Sequence, residues 1–186
     1  MTLYTIGLFL HFVGMVGLFV GYGLEWTASS LLRRAATSDQ ARAWLRIYKL
    51  SMPISGPGLL LLIISGGYLA SVTGSMKQGW ISAALLAIVF ALGIGFVFIL
   101  PRVRTIRAAI PEGTSPLSET ALARVKDPMV ATLVRVRFLL ALGIVYLMTA
   151  KPQALSTGLF ILLGAIVVGL LSAAGTWSSH PAPGKA

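Results

Sequence analysis

The sequence predicts an all-α fold, a polytopic membrane bundle of five transmembrane helices. Hydrophobic residues make up 56% of the chain and charged residues only 11%, with a mean hydropathy of +0.88, which excludes an ordinary soluble globule. Apolar runs recur at residues 3–24, 52–72, 80–100, 129–150 and 155–177, each close to the roughly 20 residues a helix needs to cross a hydrocarbon core of about 30 Å. The basic residues gather between alternate runs, as the flanks of membrane spans do. At 186 residues the chain fits one domain, with residues 1–177 as a single transmembrane bundle and 178–186 as a disordered cytoplasmic tail.

The first run, 3–24, carries no charge and one imidazole, His11. A ring at that depth is costly unless it faces protein, water or a ligand, so it is a candidate functional residue. Gly7, His11, Gly14 and Gly21 follow the four-then-three spacing of one helical face, with Leu18 filling the remaining step. That face is a shallow groove with an imidazole in it. It admits either another helix approaching over the small residues or a flat macrocycle whose metal meets the ring nitrogen. A packing histidine and a ligand or proton-relay histidine both fit this pattern. The N-terminus lacks a basic n-region and a small-residue cleavage site, so the run reads as a retained anchor.

Residues 25–51 are polar and basic. Ser38 or Asp39 can cap a short helix with Arg42, Arg46 and Lys49 on one face and Trp44, Leu45 and Tyr48 largely on the other. Such a helix would lie along the headgroup boundary; the alternative is a basic connecting loop whose only partner is lipid. The second span opens on Met52-Pro53-Ile54-Ser55-Gly56-Pro57-Gly58, where a kink or irregular first turn is expected. A broken helix exposing carbonyls to a substrate would be a transporter feature, a simple proline kink would not. Ser65, Gly66 and Gly67 add a close-packing patch. A hairpin over 73–79 leads to the third span, where Trp80 sits in the interfacial aromatic belt. The polar stretch 101–127 is broken by Pro111-Glu112-Gly113-Thr114-Ser115-Pro116, a turn between two short helices.

The fourth helix is expected to start near Met129, which places Arg135 and Arg137 in its first turns. Two residues apart, they point to nearly opposite sides, so one can face lipid phosphate while the other faces the bundle. Their expected roles are lipid anchoring or binding of an anionic head group, a propionate or phosphate, and Glu25 falls at the same boundary as a candidate partner. Lys151-Pro152 ends the helix, and the fifth span follows with Gly158, Gly164, Gly169 and Gly175. His180, in the tail, is assigned no role.

Of the 15 Lys and Arg residues, all but Lys77 and Lys151 fall on one side of the membrane. The positive-inside rule then puts the N-terminus outside and the C-terminus in the cytoplasm of a bacterial inner membrane. The net charge of +10 is explained by topology and anionic lipid rather than by nucleic acid, because no nucleic-acid-binding signature is present. The absence of cysteine excludes disulfides, thiolate metal sites and iron–sulfur clusters. With Glu25 placed at the boundary, no intramembrane carboxylate is available for acid/base work, and no nucleophilic triad, phosphate loop or zinc-ligand spacing occurs. The chain therefore does not read as an autonomous enzyme; if it is one, a membrane haem oxidoreductase is the class.

Several short motifs carry a family resemblance: His11 near the middle of the first helix, Arg46-Ile47-Tyr48-Lys49-Leu50-Ser51-Met52-Pro53 entering the second, Ser65-Gly66-Gly67-Tyr68-Leu69 near its end, Trp80 opening the third, and Leu147-Met148-Thr149-Ala150-Lys151-Pro152 closing the fourth. Over about residues 3 to 152 the chain resembles an uncharacterised bacterial integral-membrane family. That family is distantly similar to the copper-resistance D proteins and to the membrane-embedded, haem-binding protoporphyrinogen oxidases. The resemblance implies that His11 matches the first-helix haem ligand of the oxidases. Where they carry a lysine early in the third helix, this chain reads Trp80-Ile81-Ser82-Ala83-Ala84-Leu85 with alanine in its place, which counts against protoporphyrinogen oxidation and leaves a b-type haem. Copper transport gains nothing from Met15, Met52, Met76, Met129 and Met148, which are scattered.

Two functions remain. In one, haem b or a similar redox cofactor binds His11 against Gly7 and Gly14, with a second ligand from His11 of another copy in a homodimer or from a Met such as Met148. In the other, the protein has no cofactor and is a small transporter, a lipid-interacting protein or a membrane assembly subunit.

Overall fold

The computed structural model describes residues 2–113 and 115–178. Among these the chain forms α1 (Leu3–Leu32), α2 (Ser38–Val72), α3 (Gly79–Gly93), a π-helical segment (Ile94–Ile99), α4 (Leu100–Ala109), α5 (Glu119–Val125), α6 (Pro128–Ala150) and α7 (Leu155–Ser178). Five helical stretches are long and apolar enough to cross a membrane: Leu3–Leu32, Ser38–Val72, Gly79–Ala109, Glu119–Ala150 and Leu155–Trp177. The tail with His180 lies outside the described residues.

Helix α1 is capped by the Thr2 hydroxyl, which accepts from the Thr5 amide. It does not stop where its apolar run does. Instead it continues through Glu25 to Leu32, because the carboxylate finds partners inside the bundle rather than ending the helix in water. The expected headgroup helix and the second span are likewise one element. Thr37 caps α2 at Gln40, and the helix passes without a break through Pro53 and Pro57, so residues 38–51 are helix rather than a basic loop and no irregular turn interrupts 52–58. Each proline removes one backbone donor, leaving the carbonyls four residues earlier without their usual bond. Packing along α1 holds the helix together over that stretch.

The third helical stretch carries the irregularity instead. The segment Ile94–Ile99 widens to π geometry just before Pro101, a local widening often found at functional sites. Ser118 caps α5 at Ala121. Asp127 accepts from the Met129 amide at 2.9 Å and Pro128 opens α6, where its missing donor costs nothing. Lys151, at φ 46°, closes α6 in the left-handed conformation.

The most extensive packing is between α1 and α2, followed by α6 with α7. Glycine sets the first contact. A Cβ at Gly14 would lie 2.8 Å from the Gly58 carbonyl oxygen, and one at Gly21 would lie 2.5 Å from Ser55 Cβ, so the two backbones touch. Alanines 83, 84, 87 and 91 of α3 pack with Leu140, Leu147 and Leu162 of α6 and α7. Helix α6 also packs on α1 and so joins the two halves, whereas α2 and α3 are not a packed pair. A cleft is left between α2 and the π segment with α4, and Leu92 is the α3 residue that lines it.

Candidate functional site

His11 is half-buried and faces α2. Its Nδ1 lies 3.1 Å from Ser65 Oγ, and that hydroxyl donates to the Leu61 carbonyl at 2.5 Å. Ser65 has one proton, so it accepts from an Nδ1–H of the imidazole. Gly66 lies against the ring, where a Cβ would sit 3.0 Å from Cε1. The groove on either side of His11 is filled in the same way. A Cβ at Gly7 would be 2.8 Å from the Tyr68 ring, and Gly14 is covered by Gly58 and Leu62. Of the two occupants the groove admits, α2 is the one in place. A macrocycle does not fit between Gly7 and Gly14 while α2 lies there, so no haem chemistry is derived at His11.

Arg135 and Arg137 diverge from α6. Arg135 donates from Nη1 to the Ser172 carbonyl at 2.5 Å, with its guanidinium 5.7 Å from the centre of the Trp26 ring. It is thus turned to α7 and the end of α1. Arg137 turns the other way and is only 8% exposed. Its Nη1 donates to Glu25 Oε2 at 2.9 Å, and its Cζ lies 4.4 Å from the centre of the Tyr22 ring. A Cβ at Gly95 would stand 3.1 Å from that Cζ. The guanidinium therefore lies between Tyr22 and the glycine of the π segment, where a side chain would crowd it. Glu25 Oε1 accepts from Ser51 Oγ at 3.1 Å. A carboxylate that the sequence places at the boundary is thus 6% exposed inside α1.

This ion pair forms part of the wall of a cavity of about 260 Å³ between α1, α2 and the Gly79–Ala109 stretch. Leu59, Leu92 and Phe96 give it an apolar surface, and Lys49, Arg104 and Arg107 line it towards the basic end of the bundle. Those three cations are exposed, unlike Arg137. Their charge and common side of the membrane are visible in the sequence. Gly95, Tyr22 and Ser51 carry no comparable signal, because their part depends on which helix faces which. Among the described residues no group of His, Cys, Asp and Glu could hold a metal ion.

A family model described as a predicted integral membrane protein, DUF2269, matches residues 5–152. The chain belongs to this family. The match ends at Pro152, just after α6, and leaves α7 outside it. Integral membrane character is thereby established for the stretch that holds His11, the Glu25–Arg137 pair and every residue of the cavity. No curated protein and no solved structure matches the chain.

Proposed function

We infer that the protein is a lipid-interacting protein of the bacterial inner membrane, with its N-terminus outside and its basic end in the cytoplasm, and that it binds an anionic amphiphile of the bilayer in the cleft between α2 and the Gly79–Ala109 stretch. One observation carries this reading. An apolar cavity among membrane helices has a buried arginine in its wall and three exposed cations, Lys49, Arg104 and Arg107, towards one end. An acyl chain matches the apolar part, and a phosphate or carboxylate matches the cations. The function is binding or passage of the lipid rather than autonomous catalysis.

The haem reading implied by the family resemblance gains nothing from the surroundings of His11. Two copies sharing a haem would have to open the α1–α2 contact, and lipid binding does not call for a homodimer. The test is lipid retention. Protein purified in mild detergent is exchanged into mixed micelles of phosphatidylglycerol and phosphatidylcholine, washed, and its bound lipid weighed by native mass spectrometry. Wild-type protein retains phosphatidylglycerol. The triple variant Lys49→Gln/Arg104→Gln/Arg107→Gln, at about 1 kcal/mol per cation, loses on the order of 100-fold in affinity. Equal retention of the two lipids by the wild type refutes the reading.

A further inference from the structure

We propose that Arg137 is the inner binding residue for the ligand's anionic group, that it is handed over from Glu25 as the ligand enters, and that each ligand bound delivers one proton from the aqueous phase to Glu25. The proposal rests on the reading of the cleft as an anionic-amphiphile site. It adds the residue that reads the acid group, the ligand class (a singly charged phosphodiester or carboxylate on an acyl chain) and the coupling to protons.

Three observations carry it. Arg137 borders the cavity yet is almost fully buried, and its Nε has no hydrogen-bond partner among the described residues. The guanidinium has five donors; Nη1 donates to Glu25 and Tyr22 is a further side-chain partner, which among the described residues leaves Nε unpaired. Donors therefore remain for a second anion. Gly95, in the π segment, leaves the other face of the guanidinium without a side chain on it.

The second anion cannot simply be added. Two negative charges on one buried arginine would repel at a few ångströms in a medium of low dielectric. The groups facing Glu25 offer no substitute cation. Helix α1 contributes Tyr22 and α2 contributes Ser51 and Tyr48, while the π segment brings no titratable group to the cavity. Lys49, Arg104 and Arg107 are exposed towards the end of the cavity, and among the described residues Arg137 is the one cation bonded to the carboxylate. A neutral Glu25 removes the conflict. The proton comes from water or buffer and adds to a carboxylate oxygen. Arg137 keeps its own proton throughout, and Ser51 remains beside the carboxyl as a hydrogen-bond partner. Net charge balances, since one anion and one proton enter together.

The probe is 1-palmitoyl lysophosphatidylglycerol, whose phosphodiester stays singly charged between pH 5 and pH 9, so any proton taken up belongs to the protein. Calorimetric titration of the full chain in mild detergent, in two buffers of different ionisation enthalpy, counts the protons. The expected result is uptake of about one proton per ligand, with affinity falling about tenfold per pH unit as pH rises between 6 and 8. Glu25→Gln binds the probe with that slope abolished. Binding by the wild type without proton uptake overturns the proposal and leaves the cleft reading intact, as does an unchanged slope in Glu25→Gln. If Glu25→Gln does not fold, the two-buffer proton count on the wild type decides alone. Failure of the wild type to prefer this probe over lysophosphatidylcholine overturns both.

Discussion

Replacing Arg137 with methionine tests whether the Glu25–Arg137 pair organises the bundle. At 2.9 Å and an effective dielectric near 20, the two charges attract by about 6 kcal/mol, most of which is offset by the cost of taking both from water. Arg137→Met leaves that desolvation uncompensated at Glu25 and should cost about 3–5 kcal/mol. Glu25→Gln strands the guanidinium and should cost a similar amount. The double variant Glu25→Gln/Arg137→Met strands neither charge, so it should be more stable than Arg137→Met alone, with a coupling energy above about 2 kcal/mol. Arg137→Lys should recover less than half of the loss, because an ammonium cannot lie flat between Tyr22 and Gly95. Unfolding by dodecyl sulfate in mixed micelles, followed by circular dichroism, measures all four. Additive single and double losses, within about 0.5 kcal/mol, would refute the claim that the two residues act as a pair.

Gly56 lines the cavity from α2, and a Cβ added there meets no atom within 4 Å beyond its chain neighbours and the adjacent backbone of its own helix, so Gly56→Leu has room to enter it. The mild strain of a side chain before Pro57 should keep stability within about 1 kcal/mol, while phosphatidylglycerol retention in native mass spectrometry falls at least tenfold. Gly14→Leu should be far worse, since its side chain meets the Gly58 carbonyl. Loss of more than about 3 kcal/mol, seen in the same unfolding titration, is expected. His11→Ala removes one hydrogen bond to Ser65 and should cost about 0.6–1 kcal/mol. Oxidised and dithionite-reduced absorption spectra after expression with a haem precursor should be the same for wild type and this variant, and a Soret band present only in the wild type would restore the haem reading. Arg33→Ala removes bonds to the Lys126 and Thr176 carbonyls. Hydrogen exchange should quicken in the last turn of α7 and leave α1 and α2 unchanged.

The five apolar runs are legible because a helix in lipid must be long and apolar, and composition alone records that. Their ends are less so. Charge at Glu25 marks the end of an apolar run, but whether it ends the helix depends on Arg137, 112 positions away. Pro53 and Pro57 read as a break, yet α2, packed on the glycine face of α1, continues through them as one element. The four-then-three spacing around His11 shows a surface made for close approach and is silent on what approaches. Arg135 and Arg137 are legible as opposite-facing, although the sequence does not show that both turn inward, one to α7 and one to α1. The cleft could not be read at all. It lies where α2 faces the π segment and α4 without closing on them, which no residue in these elements announces.

The order in which the pieces leave the ribosome follows from the same ion pair. By residue 72 the α1–α2 hairpin has every glycine contact it will ever make, and Glu25 has Ser51 beside it. Its arginine arrives only with α6. A nascent chain therefore holds a carboxyl group in the membrane through the synthesis of α3, α4 and α5, and the arrival of Arg137 latches the early hairpin to the later helices. The Glu25–Arg137 bond is in this sense the late one, and a chain truncated before residue 128 should keep the joins at its basic end, Arg42 to the Pro111 and Gly113 carbonyls and Ser38 to the Ser115 carbonyl, while its buried carboxylate stays without a cation.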